Sequence, residues 1–450
     1  MTTTALSDWM GRLLVRQRIG DADSTLDNLV LIGAHDAATA SISRGYPPCV
    51  RAIATTQHDN VLDLLQLRGV RYLDVRIGGD NNDGNGPIHI FHGCVRCGLL
   101  QRVLEDVRLF LDRNSSEFVV LEVVLEYGKS LSEAARSEVL DMVREILEGD
   151  HRINNGEKSS GRIWRDCPSV LRHTPFREVI LEHKKQVLVL LHSRFYGSDR
   201  KEEERIATEH GYFNSERWFS NPWHNTNDAD TLQDRVAHCL QQQTKDGPPI
   251  SKSTLLRNAQ LILTPQASRL NDVFRVLTCQ TTWNVLSLTR SLHRTLPEFL
   301  RLHGSRWNVV SLDFVDQAPP SMLSFLISLN GHDRILIERA VLLKKHKNQL
   351  PEDHDDGSNT DVTDTVASFV VKDKVLYLTD PWKDLAIQRP HSRLRSQSGT
   401  IQLAIDYRFS SQGNNSEPRR LVRTLLPLPA DDQALVLSAY TEQLRDVPSL

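Results

Sequence analysis

RYLDVRI, Arg71 to Ile77, alternates charged and apolar side chains in the pattern of a β-strand. Side chains alternate between the two faces of a strand, so Tyr72, Asp74 and Arg76 share one face and the apolar residues share the other. Desolvating a carboxylate or a guanidinium costs several kcal/mol unless the group is paired. The opposed charges of Asp74 and Arg76 therefore indicate either a structural ion pair on a half-exposed strand or part of an active site.

Three further segments place a titratable residue at or just beyond the end of an apolar strand pattern. They are LIGAHDAATA (Leu31 to Ala40), IHIFHG (Ile88 to Gly93) and NVVSLDF (Asn308 to Phe314). His35 follows its strand with Asp36 beside it, and Asp313 lies near the end of the last strand. A lone histidine in a strand is more often a core residue than a catalyst, but Gly93 directly after His92 favours a loop mouth. Repeated at several strand ends, this arrangement predicts an active site.

The two histidines and the two additional carboxylates can form two His–Asp pairs. In each pair the carboxylate fixes the tautomer of the imidazole and raises its basicity. One histidine would then act as a base and the other as an acid, with Arg76 holding an anionic group between them. Such a constellation is typical of phosphodiester cleavage.

Short apolar segments alternate with helix-like segments through the first two thirds of the chain. We predict strands at 28–33, 70–77, 88–92, 118–125, 186–191, near 216–220, 258–264 and 307–314. We predict helices at 58–68, 99–113, 130–148, 229–243, 284–303 and 319–330. Strands that alternate with helices imply an α/β fold with a parallel sheet, and this number of strands suits a (β/α)₈ TIM-barrel-like domain. In such barrels the carboxyl ends of the strands carry the chemistry, which is where most of the residues above fall.

The pattern divides the chain into three parts. An apolar stripe at helical spacing predicts a helix within residues 1–24, which either touches a lipid surface or closes the bottom of the barrel. The stripe consists of Leu6, Trp9, Met10, Leu13 and Leu14. The barrel domain is expected over 25–335. The acidic stretch Gln349 to Asp364 predicts a loop or linker, and strand-like segments beyond it indicate a small β-rich C-terminal extension over 345–450.

The composition excludes several classes of partner and location. The formal net charge of −3 and a pI near 6.6 argue against nucleic acid as the main partner. No apolar run approaches the ~20 residues that span a bilayer, so no transmembrane segment is expected. The N-terminus lacks the apolar core and the cleavage site of a signal peptide. We therefore expect a cytoplasmic protein whose six cysteines are reduced thiols.

Two other motifs allow both a functional and an ordinary explanation. Cys94 and Cys97 follow His92 and, together with His89, suggest a zinc or redox site. A single CxxC without a second ligand pair is more simply a coincidence within a loop. The segment Trp218 to Asp228 clusters aromatic and amide residues before a helix, and it either lines a ligand pocket or is a loop buried under its tryptophans.

Taken together, the segments resemble the X domain of phosphatidylinositol-specific phospholipase C, and most closely the stand-alone eukaryotic X-domain-containing proteins. LDNLVLIGAHDAATA resembles the first-histidine segment of that family. GVRYLDVRI followed by IHIFHG resembles the pair that carries its arginine and second histidine, and WNVVSLDFVD before SMLSFLISLNG resembles its late aspartate strand. The order and spacing agree over roughly residues 25–335. The resemblance implies a barrel of the PLC-like phosphodiesterase superfamily.

The resemblance also implies a role for each catalytic residue. His35 is expected to be the general base that removes a proton from the inositol 2-hydroxyl, and His92 the general acid that protonates the departing diacylglycerol oxygen. Asp313 is expected to support His35, and Asp36 to support His92. Arg76 is expected to stabilise charge on the phosphoryl oxygens. Metal-dependent members place a calcium-ligand acid where Arg76 stands, so calcium independence and no cofactor are expected.

Three residues are expected to contribute to substrate binding. Asp74 lies beside the arginine at the mouth of the barrel. Val124 stands about where family members offer a lysine or a metal-binding glutamate, and Glu122, two residues earlier, is expected to take part of that role. Arg194, after the strand QVLVLL, resembles a residue that contacts inositol in the bacterial enzymes.

The expected function is metal-independent cleavage of a phosphoinositide-type phospholipid to diacylglycerol and an inositol (cyclic) phosphate, by a peripheral protein at a membrane surface. One alternative is a glycerophosphodiester or sphingolipid phosphodiesterase on a similar barrel. Against it, His35 is not followed by the His-Arg-Gly…Glu-Asn pattern of those enzymes. Another alternative is a catalytically silent lipid-binding or scaffold protein. The presence of His35, Arg76 and His92 together argues against a catalytically silent protein.

Overall fold

The computed structural model describes two compact units of the chain. In the first, Met1–Asn330, it describes residues 4–17, 25–79, 86–148, 161–196, 200–245, 254–264, 285–304 and 307–330. In the second, Gly331–Leu450, it describes eight strands. Residues 1–3 and 18–24 of the predicted N-terminal segment, and residues 349–359 and 362–364 of the predicted linker, lie outside the described residues.

The first unit is built on a parallel sheet that follows the order of the chain. Its strands are β1 Leu31–Ala34, β2 Val70–Gly79, β3 Ile88–His92, β4 Val95–Leu99, β5 Val119–Leu125, β6 Val187–Leu191, β7 Phe213–Asn214, β8 Phe219–Ser220, β9 Leu256–Leu261 and β10 Val309–Leu312. Eight of them form a parallel path in the order β7-β6-β5-β2-β1-β10-β9-β8. β7 and β8, consecutive in the chain, lie at the two ends of the path, and no ladder joins them among the described residues. The sheet is a curled barrel with one open seam, which confirms the predicted TIM-barrel-like α/β fold.

The helices alternate with these strands. They are α1 Thr4–Ser7, α2 Trp9–Gln17, α3 Pro48–Ala54, α4 Val61–Arg68, α5 Leu100–Arg113, α6 Glu133–Glu148, α7 Ser193–Tyr196, α8 Arg200–His210, α9 Ser215–Trp218, α10 Ala229–Lys245, α11 Val285–His303 and α12 Pro320–Ser328. All six predicted helices are present, as α4, α5, α6, α10, α11 and α12. Periodicity does not predict α8, because its sequence RKEEERIATEH buries only Ile206 and His210 and so carries no apolar stripe.

Local sequence sets the ends of the helix that leads into β2. The side chain of Asn60 accepts a hydrogen bond from the backbone N–H of Asp63 at 2.8 Å, which caps the first turn of α4. Gly69 ends the helix with a φ of +71°, a left-handed conformation that favours glycine. The chain therefore enters β2 at a fixed point, and the alternation of RYLDVRI begins from there.

One predicted barrel strand belongs to a hairpin instead. Residues 88–92 form β3, which pairs antiparallel with β2 and with β4 and is not part of the parallel path. Only two residues separate β3 from β4, and the first of them, Gly93, has a φ of +58°. So short a connection permits only an antiparallel pair. The place in the barrel is taken by β7, whose two residues are too few to form an apolar pattern.

Helix α2 closes the amino-terminal end of the barrel, as one of the two sequence interpretations predicts. Trp9, Met10 and Leu14 of the apolar stripe are buried in the core cluster that also contains Phe118, next to the start of β5. Beneath them Nη2 of Arg71 lies 2.6 Å from Oε2 of Glu117. These buried stripe residues face protein and not lipid.

The second unit consists of strands in its described residues. They are β11 Arg334–Lys344, β12 Thr360–Asp361, β13 Phe369–Lys372, β14 Val375–Leu378, β15 Leu385–Ile387, β16 Ile401–Ser410, β17 Val422–Pro427 and β18 Leu435–Leu437. They form an antiparallel sheet in the order β12-β11-β16-β17 and two separate pairs, β13-β14 and β15-β18. The β-rich extension therefore begins before residue 345, because β11 already belongs to it.

Candidate active site

The register of the sheet brings the predicted residues to one end of the barrel. Gly33 of β1 lies opposite Ser311 of β10 and Tyr72 of β2. Residues two positions further along each strand therefore reach the same level at the carboxyl end. This level holds His35, Asp313 and Asp74, together with Glu122 of β5, which lies directly opposite Asp74.

Gly33 is needed where the strands approach most closely beneath this level. A Cβ atom at Gly33 would lie 2.7 Å from Oγ of Ser311 and 2.8 Å from Cδ1 of Tyr72. Real Cβ atoms do not approach neighbours so closely, so a side chain there would force the strands apart. The glycine two residues before His35 thus lets β10 and β2 flank the histidine.

His35 is bound on both ring nitrogens. Its Nδ1 lies 2.8 Å from Oδ1 of Asp313, and its Nε2 lies 2.8 Å from Nη2 of Arg76. Because a guanidinium can only donate, Nε2 is the acceptor here and the ring proton lies on Nδ1, facing Asp313. Burial lowers the pKa of His35, but the carboxylates of Asp36 and Asp313 outweigh it and raise the pKa above its ordinary value. A neutral ring with raised basicity is what a general base requires.

The guanidinium of Arg76 lies among three carboxylates. Its Nε is 2.9 Å from Oδ1 of Asp36, its Nη2 is 3.2 Å from Oδ2 of Asp74, and its Nη1 is 3.8 Å from Oε2 of Glu126. Burial opposes the charge of Arg76, but these carboxylates raise its pKa well above the ordinary value. With 22% of its side chain exposed, Arg76 is a permanent cation that an anionic ligand can reach.

His92 approaches the same cluster from the hairpin. Its Nδ1 lies 2.8 Å from the backbone oxygen of Ala54, so Nδ1 carries a proton, and its Nε2 lies 3.5 Å from Oδ2 of Asp36. The same Oδ2 lies 3.4 Å from Nε2 of His35. Burial opposes the ionisation of Asp36, but Arg76 and the two histidines lower its pKa below the ordinary value. Asp36 is therefore an ionised carboxylate that faces both histidines.

Two polar residues that no motif marks connect the ends of β1 and β10. Nε2 of Gln57, which is fully buried, donates to the backbone oxygens of His35 and Leu312 at 3.0 Å each. Oγ1 of Thr56 donates to the backbone oxygen of Asp36 at 3.0 Å. These bonds fix how far apart the two strand ends lie. A single buried polar residue leaves no periodic signal, so sequence patterns do not reveal this role.

Glu122 is a buried acid at the same level of the barrel as Asp74. It accepts a hydrogen bond from the hydroxyl of Tyr72 and lies opposite Asp74 on the neighbouring strand. Burial, and then the charge of Asp74, raise the pKa of Glu122 to about 7. The structure thus brings the predicted substrate-binding residues Asp74 and Glu122 together with the catalytic set.

Arg194 lies at the same end of the barrel but further along the sheet. It belongs to α7, directly after β6, and its side chain is exposed. Its backbone N–H donates to Nδ1 of His192 at 3.3 Å. Because β6 is the neighbour of β5 in the sheet, Arg194 stands one strand beyond Glu122.

Glu126 is a site residue that the motifs do not include. It follows the last residue of β5, and its Oε1 accepts the backbone N–H of Tyr127 at 2.8 Å. Burial raises the pKa of Glu126, although the nearby Arg76 acts in the opposite direction. The rule that marks His35 and His92, a titratable residue at the end of an apolar strand, also marks Glu126 after VVLEVVL.

Arg76 contacts a group of three residues that could hold a metal ion. His35, Asp36 and Asp74 offer ligand atoms that all lie within 4.8 Å of one another. Nitrogen atoms of Arg76 lie 2.8 Å from Nε2 of His35, 2.9 Å from Oδ1 of Asp36 and 3.2 Å from Oδ2 of Asp74. A divalent ion at this point would be repelled by the guanidinium. Independence of metal stays a prediction.

The structure bears on the two motifs for which the sequence allowed both a functional and an ordinary explanation. Burial raises the pKa of Cys97 to about 12, so without a metal ion this thiol stays protonated. Trp223 is 47% exposed, and its ring centroid lies 5.5 Å from that of His35. Part of the segment Trp218 to Asp228 therefore lines the site, as one of its two interpretations predicts.

The chain is similar in sequence to several known proteins. Human PI-PLC X domain-containing protein 3 is 22% identical over 357 residues, which cover 72% of this chain and 94% of that protein. The chain is similar to the PI-PLC X domain-containing proteins. PI-PLC X domain-containing protein 1 of Danio rerio is 26% identical over 147 residues, which cover 28% of this chain and 46% of that protein. These relatives confirm the resemblance that the motifs indicate, and no protein-family model matches the chain.

Solved structures of phosphatidylinositol-specific phospholipases C also align with the chain. The Staphylococcus aureus protein has a TM-score of 0.47 and 14% identity, with 73% of this chain and 98% of that chain covered. The Listeria monocytogenes protein has a TM-score of 0.44 and 15% identity, with 72% and 98% covered. The fold of the chain is shown by its own strand order. In the described part of the chain, no helix combines the length and apolar character that crossing a membrane requires.

Proposed function

We propose that the protein cleaves a phosphoinositide-type phospholipid into diacylglycerol and an inositol phosphate, with a cyclic phosphate as the first product. The observation that best supports this proposal is the convergence of two histidine–aspartate contacts on one guanidinium. His35 contacts Asp313, His92 faces Asp36, and Arg76 contacts both His35 and Asp36. A general base, a general acid and a fixed cation are the groups that in-line displacement at phosphorus requires.

The reaction can be written with every proton accounted for. Nε2 of His35 takes the proton of the inositol 2-hydroxyl, and the hydroxyl oxygen forms a bond to phosphorus. The bond between phosphorus and the diacylglycerol oxygen breaks, and His92 gives that oxygen a proton. Asp313 stabilises the charge that His35 gains, because it accepts the hydrogen bond from Nδ1 at 2.8 Å.

Arg76 must change partners during this reaction. In the structure it occupies Nε2 of His35, the atom that has to accept the proton. A phosphodiester offers two oxygens to a guanidinium, which binds phosphate through two parallel hydrogen bonds. The substrate phosphate therefore draws Arg76 away and frees the base. On this account the cation is the guanidinium, and calcium is not required.

The proposed substrate class indicates where the protein acts. A phospholipid is reached at a membrane surface, so the protein acts there as a peripheral protein of the cytoplasm. Its partners are then lipid head groups and not nucleic acid, in keeping with the net charge of −3.

The proposal is tested by ³¹P NMR of the products from a panel of vesicles with and without EDTA. The panel contains phosphatidylinositol, sphingomyelin and a glycerophosphodiester, and the variant carrying both His35→Ala and His92→Ala gives the background. We expect a cyclic phosphate signal from phosphatidylinositol alone, unchanged by EDTA. Turnover of either other lipid in its place, or none at all, would replace the proposal with a different phosphodiesterase or with a lipid-binding role.

A further inference from the structure

The strand register places a histidine, His192, level with Arg76 and two strands further along the sheet. No role has been given to this histidine so far. Arg76 lies opposite Val124 of β5. Because Val123 lies opposite Leu191 of β6, the next residue, His192, is the neighbour of Val124. The N–H of His192 donates to the backbone oxygen of Val123 at 3.0 Å, which continues the parallel ladder. Side chains at matching positions point to the same face, so His192 faces the same mouth as Arg76.

The charges of the site act on His192. Burial, and then the charge of Arg194, lower the pKa of His192, and both Asp74 and Arg76 also act on it. Neighbouring strands lie ~4.8 Å apart, so the backbones of Arg76 and His192 are separated by roughly 10 Å across Val124. A six-membered ring with its phosphate fits such a span, and Val124 itself offers that ring no polar group.

Hydrogen bonds define which nitrogen of His192 carries its proton. Nδ1 accepts the backbone N–H of Arg194 at 3.3 Å and lies 3.4 Å from Oγ of Ser193. The neutral ring therefore carries its proton on Nε2. Nε2 lies 3.5 Å from Oε1 of Glu216, too far for a strong hydrogen bond, and the Glu216 side chain is 58% exposed. The Nε2 donor of His192 and the carboxylate acceptor of Glu216 are thus adjacent, but they do not form a strong hydrogen bond with each other.

We propose that His192 and Glu216 bind a hydroxyl group of the polyol head group, a role that rests on the function proposed above. The hydroxyl accepts from Nε2 of His192 and donates to the carboxylate of Glu216, since a hydroxyl group does both. A phosphate at this position only accepts, and the carboxylate repels it. The pair therefore selects a head group whose ring carries a free hydroxyl, not a phosphate, at the edge that faces β6.

The test compares His192→Ala, His192→Gln and Glu216→Gln with the wild-type protein. A matched control is His183→Ala, which removes a histidine whose Nε2 lies 3.1 Å from Oε1 of Glu178, near the start of β6 and away from the site. Each protein is assayed for turnover of phosphatidylinositol and of phosphatidylinositol 4-phosphate, and for competitive inhibition by myo-inositol. Thermal melting establishes that each variant is folded.

We expect His192→Ala to lower kcat/KM on phosphatidylinositol about 10-fold through KM, and to weaken inhibition by myo-inositol equally. His192→Gln keeps a donor and should lie in between, whereas His183→Ala should match the wild type. Glu216→Gln should raise turnover of the 4-phosphate relative to phosphatidylinositol. An unchanged KM and unchanged inhibition in His192→Ala, with an active wild type, would overturn the role of His192 alone. A wild type inactive on both lipids would overturn the proposed function and this proposal with it.

Discussion

Nη2 of Arg76 donates to Nε2 of His35 across 2.8 Å, so the cation of the site occupies the proton acceptor of the base. Neither group can serve the reaction while this bond persists. An incoming phosphodiester competes with His35 for the guanidinium, because an anion is a stronger acceptor than a neutral imidazole. On the proposed mechanism, anion binding and release of the base are one event, because the phosphate has to draw Arg76 away before Nε2 of His35 can accept a proton.

The first prediction concerns Arg76. Arg76→Ala should lower kcat by about 10²–10³-fold, because a preorganised donor to developing charge is lost. Arg76→Lys should restore only part of the activity, since an ammonium cannot bind phosphate through two parallel hydrogen bonds. Initial rates on phosphatidylinositol vesicles measure both effects. Arg68→Ala, which removes an arginine 2.7 Å from Asp59 outside the site, is the matched control.

Wild-type activity should be the same with and without EDTA. Loss of wild-type turnover on chelation, restored by calcium, would contradict the role of Arg76. Arg76→Asp adds a fourth acidic or imidazole ligand to His35, Asp36 and Asp74, whose ligand atoms lie within 4.8 Å of one another. This variant should be inactive in EDTA, and any activity that it regains should depend on added divalent ion.

The second prediction concerns stability and pH. The pKa of Glu122 is raised from its ordinary value to about 7. A raised pKa means that the folded state binds more protons than the unfolded state between these two values, so stability is full at low pH and falls as pH rises through 7. Glu122→Gln cannot ionise and should therefore be more stable than the wild type above pH 7, by roughly 3 kcal/mol.

The free energy of unfolding in urea at pH 4 and at pH 8 measures this difference. At pH 4 the two proteins should be about equally stable, because Glu122 is protonated in the folded wild type. Glu105→Gln, at a half-buried position of α5 where 38% of the side chain is exposed, should show no gain at pH 8. A destabilised Glu122→Gln at pH 8 would mean that the carboxylate is ionised and needed in the folded state.

The third prediction concerns the buried ion pair under the barrel. Arg71 and Glu117 are both fully buried, and the guanidinium also donates to the backbone oxygen of Ser7 at 2.8 Å. Removing one partner leaves an unpaired buried charge, so Arg71→Met or Glu117→Leu alone should cost about 3–5 kcal/mol. The double variant should cost less than either single one, as measured by urea unfolding. Additive losses would show that the two charges do not depend on each other.

Part of this fold can be predicted from the sequence because its elements are long and periodic. RYLDVRI and VVLEVVL give strands whose positions are correct, and α5 shows its buried face at Val103, Val107 and Phe110. β7 escapes prediction because two residues carry no period, and IHIFH is mistaken for a barrel strand because alternation does not distinguish a hairpin from a parallel neighbour.

The site is predictable where it lies at strand ends and hidden where it depends on contacts between distant segments. His35, Arg76 and His92 follow from motif order along the chain. Gln57 and His192 do not, because each matters through what it faces across the sheet. The contact between Arg76 and His35 is equally invisible in the sequence, since 41 positions separate the two residues.

The central claim is that His35 acts as the general base and His92 as the general acid. Nδ1 of His35 lies 2.8 Å from Asp313, and His92 faces Asp36 at 3.5 Å. If His35 is the base and His92 the acid, each alanine substitution should lower kcat on phosphatidylinositol by about 10²–10⁴-fold. The two losses should not add, because both residues act on one displacement.

The most direct test of this claim is the turnover of an inositol phosphodiester whose leaving group is a nitrophenol, by the two single variants. A nitrophenolate departs without a proton, so His92→Ala should regain most of the wild-type rate on this substrate. His35→Ala should remain impaired, because the attacking hydroxyl must still lose its proton. Equal impairment of both variants on the nitrophenyl substrate would contradict the assignment of His35 as base and His92 as acid.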